Sequence, residues 1–95
     1  MTAPIETARL RITGQVQGVG YRLWATRTAA SLGLRGWVRN RTDGSVEALV
    51  TGPPEAVAAM IEAARNGPIG AQVRDVTVTP DKDDGSVGFV ARPTE

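Results

Sequence analysis

The 95-residue sequence predicts an α+β sandwich. Three observations carry that reading. Apolar and polar residues alternate from Thr7 to Thr13, apolar residues then recur at helical spacing from Tyr21 to Leu32, and Asp43-Gly44 separates two further strand-like stretches.

The elements follow in order. Ala8, Leu10 and Ile12 define one face of a first strand, with Thr7, Arg9, Arg11 and Thr13 on the other. A glycine-rich corner separates it from a helix in which Tyr21, Trp24, Ala25, Thr28, Ala29 and Leu32 share a stripe, and Gly33 stands where a helix C-cap belongs. Arg35 to Arg41 and Ser45 to Thr51 form two strands paired antiparallel across the Asp43-Gly44 turn, the second with Val46, Ala48 and Val50 inward. Gly52-Pro53-Pro54 ends that strand and opens a second helix, whose buried stripe is Val57, Met60, Ile61 and Ala64 before Asn66-Gly67-Pro68 stops it. Asp75 to Pro80, with Val76 and Val78 alternating, makes a fourth strand, and Gly88 to Arg92 allows a short closing one. Asp81 to Gly85 reads as an exposed acidic loop, since the twelve-residue calcium-loop pattern is absent.

Strand, helix, strand, strand, helix, strand is the ferredoxin-like order. It implies a βαββαβ sandwich with a four-stranded antiparallel sheet, a possible short C-terminal strand, and both helices on one face. Residues 1–95 are expected to form one domain, because a chain of this length supports a single core. No apolar run approaches the roughly 20 residues of a membrane span, and MTAPIETARL has no apolar signal core. A net charge of +1, with acids and bases interspersed, supplies no broad attraction to nucleic acid or an anionic membrane, so neither is expected as a partner. A cytoplasmic monomer is the expectation. Lacking cysteine and histidine, the chain has no thiolate nucleophile and no imidazole base, and no metal or other cofactor is expected.

The segment GQVQGVGYR, Gly14 to Arg22, joins the first strand to the first helix. Glycines at 14, 18 and 20 permit positive φ, so that successive amides can converge as an anion-binding nest at the helix N-terminus. Arg22 falls in the helix's first turn, where a cation is disfavoured by the dipole unless an anion offsets it. The spacing is neither GxGxxG nor a P-loop, and a glycine turn serving only tight packing has the same appearance. On the second strand, Gly36, Val38 and Asn40 share a face. Strands one and two run parallel in the expected topology, which brings Asn40 to the edge that carries the glycine corner. An asparagine there also suits a hairpin, and parity alone leaves both roles open.

GQVQGVGYR followed by GWVRNRTDGSVEALVTGP resembles both signature segments of the acylphosphatases, and the resemblance extends through the C-terminal GFVAR. It implies that Arg22 binds a phosphoryl group, that Asn40 orients the attacking water, and that Gln17, Gly18, Val19, Gly20 and Tyr21 form the phosphate cradle. It further implies an acyl phosphate as substrate, with inorganic phosphate as product and competitive inhibitor. Gly20 stands where some members carry an aromatic residue, and Thr79 where tryptophan is frequent. Such a substrate suits a chain without histidine, because the departing carboxylate has a conjugate acid of pKa about 4 to 5 and leaves without a proton donor. The alternatives on this fold fit less well. RNA-recognition domains need aromatic residues on strands one and three, where this chain has Thr7, Arg9, Arg11 and Thr13, then Ser45, Glu47, Leu49 and Thr51. An anion sensor without turnover remains as the non-enzymatic reading.

Overall fold

In the computed structural model, which describes residues 4–95, the alternation of Ala8, Leu10 and Ile12 becomes strand β1 (Glu6–Gln15), with those three side chains buried. Helix α1 (Tyr21–Ser31) follows, burying Tyr21, Ala25 and Ala29. It ends one residue before the sequence pattern suggested, in a Schellman motif. Gly33 takes φ 71°, its amide bonds to the Ala30 carbonyl, and the Leu34 amide reaches back to Ala29. Strands β2 (Arg35–Asn40) and β3 (Val46–Gly52) form the hairpin, and helix α2 (Pro54–Ala64) starts at a proline and buries Val57, Met60 and Ala64. Strands β4 (Gln72–Pro80) and β5 (Phe89–Arg92) complete the sheet.

Strand order is β4-β1-β3-β2-β5. The first four strands pair antiparallel as expected, so β1 and β2 run parallel with β3 between them. The closing strand forms, and it pairs parallel with β2, placing Ala91 beside Val38. The sheet is therefore five-stranded and mixed. Helix α1 lies over β2 and β5, α2 over β1, β3 and β4, and one core fills the space between helices and sheet.

Two differences from the sequence pattern have physical causes. β4 begins three residues earlier than the Val76–Val78 alternation implied, because β1 continues past a bulge at Thr13/Gly14 and pairs Gly14 with Val73 and Gln15 with Gln72. The acidic segment is exposed but not loose. Asp81 pairs with Arg9 at 2.7 Å, Asp83 with Arg35 at 2.6 Å, and the Trp37 indole donates to Asp84 at 3.1 Å. This tethering accounts for Trp37 and Leu49, which face away from the helices yet are 4% and 3% exposed. The Trp37 ring is also stacked between the guanidinium groups of Arg39 and Arg92, 4.8 and 4.9 Å from its centroid.

Candidate active site

The glycine corner folds as its composition requires. Gly14, Gly18 and Gly20 have φ of 119°, 74° and 78°, values that residues with a Cβ rarely adopt. A Cβ at Gly14 would lie 2.2 Å from the Gln72 carbonyl oxygen, so the bulge that launches the loop also excludes a side chain sterically. Gly20 is the N-cap of α1 and is left-handed, and no side chain caps the helix. The first amides of α1 consequently point out of the loop without an intrahelical acceptor, and its first turn contains no acidic residue.

Arg22 stands at that terminus. Its guanidinium takes part in no ion pair among the described residues, whereas Arg9, Arg11, Arg35, Arg39, Arg41 and Arg65 are all paired. Its one side-chain hydrogen bond among the described residues is a long 3.5 Å contact from Nη1 to the Arg92 carbonyl. That contact aligns the side chain against β5 without neutralising it. The charge is available to an anion.

Asn40 reaches the same place from β2. Its neighbours Arg39 and Arg41 are both drawn to Glu47, at 2.8 and 3.5 Å. Glu47 also bonds Arg9, at 2.8 Å, on the helix-free face. Burial pulls the Glu47 pKa up, but the hydrogen bonds and charges of Arg39, then Arg9, outweigh it and hold the carboxyl below its ordinary value. With its neighbours anchored on one face, strand parity directs Asn40 to the other. The Glu95 amide donates to the Asn40 carbonyl at 3.0 Å, which steadies the backbone and leaves the carboxamide unused.

One cleft of about 250 Å³ gathers Gly18, Gly20, Tyr21, Arg22 and Asn40, and Val16, Leu23 and Ala91 complete its wall. Tyr21 contributes main chain only, because its ring is buried and its hydroxyl donates to the Ala64 carbonyl at 2.7 Å. Burial pushes that phenol well above its ordinary pKa and keeps it neutral. Val19 is partly buried against the core. Gln17 turns away from the cleft, and its Nε2 donates to the carbonyls of Arg41 and Ser45 at 2.8 and 2.9 Å. That side chain staples the glycine loop to the hairpin just beyond Asn40, a role that residue type alone did not reveal. A larger cleft of about 410 Å³ beside the bulge, lined by Gly14, Gln15, Gln72, Val73 and Arg74, shares only Gly14 with the glycine corner and gathers neither Arg22 nor Asn40. Among the described residues, no group of three or more histidine, cysteine, aspartate or glutamate side chains is placed to hold a metal ion, and no helix is long and apolar enough to cross a membrane.

Gln17→Ala is expected to remove two neutral hydrogen bonds of about 1 kcal/mol each. Together these losses lower the Tm by roughly 8–16 °C, and the loop's affinity for an anion such as phosphate is expected to weaken along with it. A thermal melt and a phosphate titration of the variant check both, and unchanged values would remove Gln17 from the loop's support.

The chain thus belongs to a class of small α+β sandwiches of ferredoxin-like topology, here with a positive-φ glycine corner and an arginine at the first helix's N-terminus that forms no ion pair among the described residues. Comparison with known proteins narrows the class. The Acylphosphatase family model matches residues 8–91. A Rhodospirillum rubrum acylphosphatase is 52% identical over 90 residues, covering 95% of this chain and 99% of that protein. Among solved structures, the Bacillus subtilis acylphosphatase superposes with a TM-score of 0.88 at 37% identity, covering 94% of this chain and 99% of that one. The Coxiella burnetii acylphosphatase gives 0.89 at 28%, covering 93% of each. The chain belongs to the acylphosphatase family.

Proposed function

We propose that this chain hydrolyses the carboxyl–phosphate bond of acyl phosphates by direct in-line attack of water, with Arg22 and Asn40 as its catalytic residues. The observation that carries the proposal is that these two side chains, from a helix and a strand far apart in the chain, line one cleft with Gly18 and Gly20. The amides of Gln17 to Tyr21 and the Arg22 guanidinium hold the equatorial phosphoryl oxygens. The Asn40 carboxamide positions water opposite the acyl oxygen. A bond forms between the water oxygen and phosphorus, the bond from phosphorus to the acyl oxygen breaks, and the electron pair leaves on the carboxylate. The water's protons pass to the phosphate product and to solvent.

Little else is required of the protein. Phosphoryl transfer goes through a loose transition state in which the nucleophile is weakly bonded, so placement and fixed donors outweigh a strong base. The leaving carboxylate needs no acid. Hydrolysis of benzoyl phosphate with a chelator present, inhibited competitively by inorganic phosphate, is the expected result. Phosphate binding without turnover would instead support the anion-sensor reading. The proposal takes residues 1–95 as one domain carrying the whole activity, acting as a cytoplasmic monomer. Sedimentation as a species near 10.0 kDa tests the assembly state.

The pH dependence follows from composition and from the carboxylates. With no histidine present, the rate is expected to show no imidazole titration between about pH 5 and 8. Below about pH 10, above which the buried Tyr21 phenol costs stability by staying neutral while the unfolded chain ionises, stability should depend on pH only at the acid end. The Ser45 hydroxyl and amide, then Arg11, hold Asp43 well below its ordinary value of 3.8. Asp81 is lowered by the Lys82 amide and Arg9, Asp83 by Arg35 and the Gly85 amide, and Asp84 by Ser86. A carboxyl whose pKa is depressed on folding contributes stability above its unfolded pKa and loses it as pH falls through the folded value. The Tm is therefore expected to be level from about pH 5 to 8 and to decline below about pH 4. A decline already under way near neutrality would contradict this assignment.

A further inference from the structure

The cleft at Arg22 is not polar all round. Leu23 and Ala91 form part of its wall, and among the described residues Arg22 is the only charged one lining it. Leu23 follows Arg22 on α1, whose core-facing residues are Tyr21, Ala25 and Ala29, so Leu23 points outward and is 57% exposed. Ala91 comes from β5, held beside Val38 by the parallel pairing. A single exposed leucine on a helix needs no explanation. One that shares a cleft with an unpaired cation and with a second apolar residue from another element calls for one.

The chemistry of the substrate supplies it. Every acyl phosphate presents the same phosphoryl end, so beyond the intrinsic leaving ability of each carboxylate, the protein discriminates among them only through what meets the acyl end. An ionised acyl substituent would find no cation here other than Arg22, which the phosphoryl group already occupies. At about 250 Å³ the cleft lies below the roughly 300–1,000 Å³ range of pockets for drug-sized ligands. A small substituent suits it.

We propose that Leu23 and Ala91 seat the acyl substituent and select small, uncharged, apolar acyl phosphates. This rests on the phosphoryl-site reading above. Leu23 determines specificity by contact and takes no part in the bond changes. Its exposure means that substitution leaves the core undisturbed.

The test measures kcat/KM for benzoyl, acetyl and succinyl phosphate in the native chain, Leu23→Ser and Leu23→Lys, with the Ki of inorganic phosphate measured alongside. The native chain should favour benzoyl over succinyl phosphate. Leu23→Ser should lower the benzoyl-to-acetyl ratio about fivefold, the effect of losing contact with one or two methylene groups. Leu23→Lys should raise succinyl relative to benzoyl phosphate about tenfold, through a new charge-assisted contact. Unchanged ratios in both variants, with all three substrates still hydrolysed, would overturn the acyl seat and leave the hydrolase reading standing. An equal fall for all three substrates with a raised phosphate Ki would also overturn it, by placing Leu23 at the phosphoryl end. If the native chain hydrolysed none of the three, the phosphoryl-site reading would fall first and this inference with it.

Discussion

Arg22→Ala is expected to lower kcat/KM for benzoyl phosphate by about 10²–10⁴-fold. A guanidinium fork gives two charge-assisted hydrogen bonds to phosphoryl oxygens, worth about 1.5–3 kcal/mol each. Their combined loss, at about 1.36 kcal/mol per factor of ten, sets that range. Both binding and turnover should suffer, since the contact exists in the ground state and strengthens as charge spreads over the equatorial oxygens. Inorganic phosphate should lose most of its inhibition in parallel. The fold should be nearly indifferent, because among the described residues the Arg22 guanidinium forms no ion pair and makes one hydrogen bond, a 3.5 Å bond to the Arg92 carbonyl. Removing it also relieves an unfavourable placement of a cation at a helix N-terminus, so the Tm should be unchanged or slightly higher. Arg22→Lys separates charge from geometry. A point charge without the planar fork should recover part of the phosphate affinity and little of the turnover. Steady-state kinetics with a thermal melt of each variant check the set, and an Arg22→Ala enzyme as active as the native chain would refute the assignment.

Asn40→Ala should act differently. Turnover is expected to drop about 100-fold, the order of loss when a reacting group is held an ångström out of place. KM and the phosphate Ki should stay near native values, because the carboxamide holds water for the reaction and does not hold the phosphoryl group. The backbone at this position is fixed independently, by pairing with Val46 and by the hydrogen bond from the Glu95 amide. A small loss of stability is therefore expected. Equal falls in affinity and turnover would mean that Asn40 grips phosphate, and unchanged turnover would remove it from the mechanism.

These two variants also weigh the Glu47 arrangement. Arg39 and Arg41 meet Glu47 on the helix-free face, and this fixes the side of the sheet to which Asn40 points. A strand's two-residue period makes such a choice absolute, since a slip of one residue would carry the carboxamide to the opposite face.

Much of this was legible in local sequence. The alternation of Ala8, Leu10 and Ile12, the Gly33 cap, the Asp43-Gly44 turn and the Pro54 start each lie within a few residues of the conformation they specify. Each acts through sterics or hydrogen bonds of the nearby backbone. The glycine corner was equally readable, for φ at Gly14, Gly18 and Gly20 is a property of those residues themselves. Even the meeting of Arg22 with Asn40 followed from element order, because a strand–helix–strand crossover makes β1 and β2 parallel.

Other features had no local signal. That the closing strand, which the sequence allowed, would pair with β2 and run parallel to it depended on residues some fifty positions apart, and with it came Ala91 in the cleft wall and the Arg92 carbonyl against Arg22. The Gln17 side chain gave no sign that it would bind the Arg41 and Ser45 carbonyls rather than face a ligand. By strand parity Trp37 and Leu49 lie on the helix-free face, and no local signal showed that Trp37 would be covered by Asp84, Arg39 and Arg92 beside its strand neighbour Leu49. Sequence alone determined the order of elements, the backbone of the glycine corner and the approach of Arg22 and Asn40 to it, since these rest on periodicity, backbone conformation and crossover geometry. Tertiary structure decided what surrounds that pair: which carbonyls brace the loop, which apolar groups line its mouth, and which face of the sheet is covered. Those outcomes are set by the packing of distant segments, whose mutual distances no short stretch of chain encodes.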